Sequence, residues 1–187
     1  MRHENCSFGG SACFAPGRGT PRRASGFSLI EMLTTMSILA ILLAIASPGL
    51  ASLTSANSLS SAQSGLAASL MLARGEAMKR GATVGLAALA PVTGSEFSAG
   101  WTVFVDSNGN GRYDVGETIV RQEPAQHGDV IVALSGNATV VAFNSRGFLT
   151  PSTLATFTLC SPLATKGYIV RVEPVGLADI SDSAGCP

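Results

Sequence analysis

Between Phe27 and Ala73 the chain carries one charge, Glu31. Residues 27–50 are almost all apolar or small. As a helix these ~24 residues reach roughly 36 Å, enough to cross a hydrocarbon core of about 30 Å. A carboxylate in such a segment costs about 2.5–3.5 kcal/mol at the helix centre on insertion scales, so it calls for a partner. Arg22 and Arg23 stand just before the run. Basic residues there place the preceding chain in the cytoplasm and the remainder across the membrane. If the chain is cut after Gly26, Phe27 becomes a new N-terminus and Glu31 the fifth residue. The free α-amine of one subunit then has the charge to neutralise Glu31 of its neighbour, in a bilayer or in a packed filament.

The stretch Gly26-Phe27-Ser28-Leu29-Ile30-Glu31-Met32, with basic residues before it and an apolar run after it, resembles the leader of type IV pilins and type II pseudopilins. Pro48 adds to the likeness, because pilins of this type carry a proline at that depth of the first helix. The resemblance implies that a prepilin peptidase, an aspartyl protease in the family, cuts between Gly26 and Phe27 and methylates the new amine. It also implies assembly roles for Glu31 and Pro48. Two plainer readings compete. One is a secretory signal peptide, with Arg22-Arg23 as its basic region and cleavage after Ala46 in Ala44-Ile45-Ala46. Glu31 counts against it, since a signal sequence gains nothing from an acid in its apolar core. The other is a simple membrane anchor, which explains the length but neither Gly26-Phe27 nor Glu31.

The whole chain is formally neutral. Residues 1–26 are net +3, with four arginines against Glu4, whereas the remainder has eight Lys/Arg against eleven Asp/Glu and is net −3. An acidic exported domain is a poor electrostatic match for nucleic acid. Cys6 and Cys13 fall in the leader, and Cys160 and Cys186 in the exported part, where an oxidising compartment allows a disulfide.

The sequence divides into a leader over residues 1–26, a transmembrane or filament-core helix over 27–52, an amphipathic half-helix over 53–80, and an exported β domain over 81–187. Residues 1–25, rich in Gly, Ser, Pro and Arg, are expected to be disordered. The helix is expected to start near Phe27 or Ser28 and to kink or loosen at Pro48-Gly49. From residue 53 on, Leu59, Leu66, Leu70, Ala73 and Ala77 recur at helical spacing on a mostly polar background, one apolar stripe that needs a surface to cover it. Lys79-Arg80-Gly81 is a C-terminal stop. Beyond it, short strands are expected over 83–89, 101–105, 118–122, 129–134, 139–143, 157–160 and 168–173, separated by Gly/Asn/Ser turns. The fold class is α+β and type IV pilin-like: a long N-terminal helix, apolar then amphipathic, packed on a C-terminal antiparallel β domain. The segments Gly100-Trp101-Thr102-Val103-Phe104-Val105-Asp106, Asn108-Gly109-Asn110-Gly111, Val141-Ala142-Phe143-Asn144 and Phe157-Thr158-Leu159-Cys160 are similar, in the same order, to the GspH/FimT-type minor pilins.

The loop from Asp106 to Glu117 fits the EF-hand pattern, with Asp106, Asn108, Asn110, Asp114 and Glu117 at ligand positions and Gly111 at the turn. An EF-hand needs flanking helices, whereas these flanks read as strands. A hairpin loop whose side chains cap their own backbone is therefore favoured over calcium, and no cofactor is expected. Trp101, Phe104, Phe143, Phe148 and Phe157 read as core, and Arg112, Arg121 and Arg146 as solvated charges. His127 is the single histidine of the exported part, and no nucleophile elbow, P-loop, dinucleotide fingerprint or HExxH occurs, so no enzyme is expected. Some minor pilins bind DNA through a C-terminal Gly-Arg-x-Arg motif. The matching place reads Val175-Gly176-Leu177-Ala178-Asp179, with neither arginine, and nucleic acid is not an expected partner.

The reading is thus a minor pilin or pseudopilin of a type IV pilus or a type II secretion machine, with a DNA-binding minor pilin of natural transformation, or a soluble secreted domain cleaved after Ala46, as the alternatives. Its expected partners are the prepilin peptidase, other pilin subunits, an inner-membrane assembly platform, and the bilayer along residues 27–50. It would sit as a single pass in the bacterial inner membrane, leader cytoplasmic and C-terminal domain periplasmic, before entering the filament.

Overall fold

The computed structural model describes residues 26–186, apart from the side chains of residues 46–48. The leader, with Cys6 and Cys13, lies outside the described residues. The chain divides into two compact units, Met1–Leu42 and Leu43–Pro187.

In the first unit the helix α1 (Leu29–Arg80) begins two residues after Phe27, with the Met32 amide donating to the Ser28 carbonyl at 3.1 Å. Its hydroxyls satisfy themselves locally: Thr34, Thr35 and Ser37 donate back to the carbonyls of Glu31, Met32 and Leu33. Such back-bonding satisfies these three hydroxyls without water, as a helix in hydrocarbon requires. Among the described residues no single helix is long and apolar enough to cross a membrane. The pieces Leu29–Ile45 and Gly49–Arg80 meet that test only together. The division falls beside Pro48, which has no N–H to donate.

In the second unit the helix buries Leu59, Ala62, Leu66, Leu70, Ala73 and Ala77, one stripe at steps of three and four. Three of these six residues are leucine and three are alanine, and the small alanines leave room for the sheets to pack closely on the helix. Arg80 is followed by Gly81 at φ +64°, and the Ala82 amide reaches the Ala77 carbonyl at 3.3 Å. This is the Schellman closure that the glycine predicts.

Two antiparallel sheets complete the unit. One has the order β3 (Thr118–Glu123), β2 (Trp101–Asp106), β1 (Thr83–Ala88), β5 (Val140–Phe143), β6 (Leu149–Thr150). The other has β4 (Ile131–Leu134), β7 (Ala155–Cys160), β8 (Lys166–Val172), β9 (Ala178–Ala184). Leu86, Trp101, Val103 and Phe143 from the first sheet and Val132, Phe157, Leu159 and Val170 from the second share one core with the helix stripe. Phe97 and Phe157 meet edge to face, centroids 5.2 Å apart.

All seven expected strands are present, with ends shifted by up to two residues. β6 and β9 were not expected. β9 has one large apolar residue, Ile180, and forms because β8 offers it a full partner edge from Lys166 to Val172. Phe148 is corrected from core to surface, at 41 % exposed: it stands in the tight turn between β5 and β6, where its amide donates to the Asn144 side chain and its ring is left outside the core.

Candidate functional site

The N-terminal segment places its predicted residues in one short stretch. Gly26 and Phe27 precede the helix, Phe27 is 78 % exposed, and Glu31 lies in the first helical turn. An acid there faces the positive end of the helix dipole. From Phe27 to Ile45 every residue is exposed, including Leu33, Ile38, Leu39, Ile41 and Leu42. This face is chemically suited to lipid or to other helices of the same kind. The side chain of Pro48, and that of Ala46 at the alternative cleavage point, lie outside the described residues.

Cys160, at the end of β7, is bonded to Cys186 beyond β9, with Cα atoms 5.1 Å apart. The bond ties the last strand of the second sheet to its interior.

The loop between β2 and β3 brings Asp106, Asn108, Asn110, Asp114 and Glu117 together, and uses them on itself. The Asp106 carboxylate accepts from the amides of Gly109 (2.7 Å) and Gly111 (2.9 Å). Asn108 and Asn110 accept from the Asn110 and Arg112 amides, and both side-chain amides donate to Asp114. Those two donors, Asn108 first, hold the Asp114 carboxyl below its ordinary pKa. Glu117 closes the loop by accepting from the amides of Ser107 and Asp114. The flanks are strands, and the oxygens an EF-hand would turn toward an ion are taken by the loop's own donors. The donor set therefore fits a self-capped hairpin better than a calcium cage. Tyr113 of this loop meets Phe104 edge to face at 5.4 Å, and Phe104 is fully buried beneath it.

Two buried polar residues were not anticipated. Ser69 accepts from the Trp101 indole N–H at 3.0 Å and donates to the Gly65 carbonyl at 2.8 Å, pinning β2 to the helix. Glu96 is 1 % exposed and stands in the loop before β2. Burial is the largest influence on its carboxyl and raises the pKa. The backbone N–H groups of Glu96 itself, Gly94 and Leu134 together outweigh it, and the net position is below the ordinary value. The Glu96 carboxylate and the Ser98 hydroxyl accept from the Leu134 and Val132 amides, while the Phe97 amide donates to the Val132 carbonyl. This loop therefore covers the outer edge of β4, which would otherwise present unpaired groups. No local signal marks Glu96, because its partner Leu134 is 38 residues away.

Val175-Gly176-Leu177-Ala178-Asp179 forms the turn into β9 and its first residues, with Leu177 exposed. Arg121 pairs with Glu123 at the β3 edge, and Lys79 and Arg80 pair with Glu76 on the last helical turn.

Residues 62–176 match the family described as type II transport protein GspH, and residues 21–47 match the prokaryotic N-terminal methylation motif. The pilin-like protein PilA1 of Thermus thermophilus is 34 % identical over 156 residues, covering 79 % of this chain and 94 % of that protein. Two crystal forms of the type IV minor pilin FimU of Pseudomonas aeruginosa share the fold. The P21 form has a TM-score of 0.57 at 22 % identity over 69 % of this chain and 92 % of FimU. The P65 form has a TM-score of 0.54 at 21 % identity over 66 % and 92 %. The methylation motif fits a membrane-anchored subunit of a pilus or pseudopilus, and the family is a structural class. The chain belongs to the GspH family, among the type IV minor pilins and pseudopilins.

Proposed function

We propose that this chain is a structural subunit of a type IV pilus or of a type II secretion pseudopilus, cut by a prepilin peptidase between Gly26 and Phe27. The observation that carries this reading is an apolar helix exposed on every side, headed by Gly26-Phe27 and interrupted by one acid. Before assembly the segment anchors the chain in the inner membrane, with the basic leader cytoplasmic and the β domain periplasmic. During assembly the same side chains leave lipid for the helices of neighbouring subunits, an exchange of one apolar surrounding for another. Glu31 then pairs with the methylated amine of a neighbour's Phe27, which offsets the cost of an acid in an apolar interior. The loop from Asp106 to Glu117 serves as a self-capped hairpin on the outside of the domain.

Mass spectrometry of the mature protein tests the cleavage. The expected N-terminus is methylated Phe27, whereas a start at Ser47 would mark a secreted domain and overturn the reading. For assembly, Glu31→Val is expected to leave the chain in the membrane and reduce its entry into filaments at least tenfold. Unchanged entry would remove Glu31 from the mechanism.

A further inference from the structure

A groove of about 310 Å³ runs along the helix at residues 67–78 and under the turn into β9. Met71, Met78, Phe143, Leu177 and Ile180 line it. All but Phe143 are exposed, Met71 to 70 % and Leu177 to 59 %. Arg74 lines the same groove. Its Nε is buried and, among the described residues, has no hydrogen-bond partner and joins no ion pair. The nearest acid on the helix, Glu76, is engaged by Lys79 and Arg80. Two turns hold the Arg74 side chain in place. At Gly176 (φ +80°) a Cβ would lie 3.0 Å from Arg74 Nε and 2.0 Å from the Gly147 carbonyl oxygen, so only glycine lets these backbones close over the arginine.

An apolar trough with an arginine in its wall, its Nε–H buried and without a partner, is complementary to an apolar segment that carries a carboxylate. The methionines give it an adaptable surface. A second copy of this chain is a poor source of that segment. Its exposed apolar helix carries one acid, Glu31, which the filament reading already pairs with a neighbour's Phe27 amine, and the Asp114 and Glu117 carboxylates beside exposed Val115 are held by their own loop. We propose that the groove seats an apolar segment of a different filament subunit, with an Asp or Glu of that segment paired to Arg74. This rests on the filament reading above and names the surface it would use.

The test places a photo-reactive phenylalanine analogue at Met78 of the full chain, and at Val115 as a control, in cells that assemble the filament. The crosslinked peptide is then sequenced. The expected result at Met78 is a peptide from another subunit that has a prepilin-type N-terminus, with an acid within four residues of the link. Arg74→Gln is expected to lower the yield roughly tenfold, and Arg74→Lys to retain most of it. Leu177→Glu, an exposed change that sets a competing carboxylate in the groove beside Arg74, is expected to lower it similarly. Resistance of Cys160 and Cys186 to alkylation checks that each variant has folded. A link to this same chain, to lipid, or to a peptide without an acid overturns the proposal, as does a yield no higher than at Val115 or one indifferent to Arg74→Gln and Leu177→Glu. The N-terminal mass is read on the same sample. A processed Phe27 with no specific link overturns the groove alone, and an unprocessed chain overturns the filament reading as well.

Discussion

Residues 29–42 and residues 59–77 are both helical and both rich in leucine and alanine or isoleucine, yet their apolar side chains end in opposite places. Leu33, Leu39 and Leu42 are 54 %, 58 % and 58 % exposed, whereas Leu59, Leu66 and Leu70 are at most 2 % exposed. The first segment has apolar residues all round and no protein to cover them. The second confines them to one stripe, which the sheets cover. Apolar content alone therefore does not locate a core. The pattern around the helix says whether the surrounding medium is to be lipid and like helices or the chain's own domain.

Three changes can break or sharpen that contrast on the full chain in detergent. Replacing both Cys160 and Cys186 by serine opens a loop of 26-residue separation. It is expected to cost the packed unit about 3.5 kcal/mol in the chain-entropy account, read as a lower urea midpoint, with cleavage after Gly26 unaffected. Leu66→Ala removes a fully buried side chain and is expected to cost about 3 kcal/mol in the same assay. Ile41→Ala, at an exposed position of the other segment, is expected to change the midpoint by less than about 0.5 kcal/mol. Equal effects of the two would end the contrast.

Glu96 supplies the pH test. Its folded pKa is depressed, so its contribution is fully present above the ordinary glutamate value of about 4.3. That contribution is lost as pH falls below that value through the folded-state pKa. Glu96→Gln is expected to cost roughly 1–2 kcal/mol at neutral pH and to flatten the acid limb of the stability curve. An unchanged acid limb would remove Glu96 as its source. The smallest expected effect is that of calcium. Millimolar Ca²⁺ is expected to shift the thermal midpoint by less than about 1 °C, because a site binding ligand well below its Kd gains almost nothing. A saturable rise would show that the Asp106–Glu117 loop opens its self-made bonds to an ion.

Much of this was legible along the chain because the signals are local. Arg80-Gly81 predicted the helix stop, the β-branched and aromatic run over residues 101–105 between turn clusters predicted β2, and the spacing from Leu59 to Ala77 predicted the buried stripe. Ala62 joins that stripe although its neighbours Ser61 and Gln63 gave it no apolar context. β9 escaped because Ala178–Ala184 has little strand character of its own and is held by pairing with β8. Glu96 escaped for a similar reason, since an acid among loop residues looks solvated until Leu134 is brought beside it.

By itself the sequence determined where the apolar helix runs, where its lone acid lies relative to Gly26-Phe27, and which residues can turn the chain, because each depends on neighbours within a few positions. The tertiary structure alone decided that Glu96 would be a buried anion capping a sheet edge, that Ser69 would hold Trp101, and that Arg74 would stand unpaired in an apolar groove. Those outcomes depend on groups tens of residues apart whose meeting is fixed only when the sheets close on the helix.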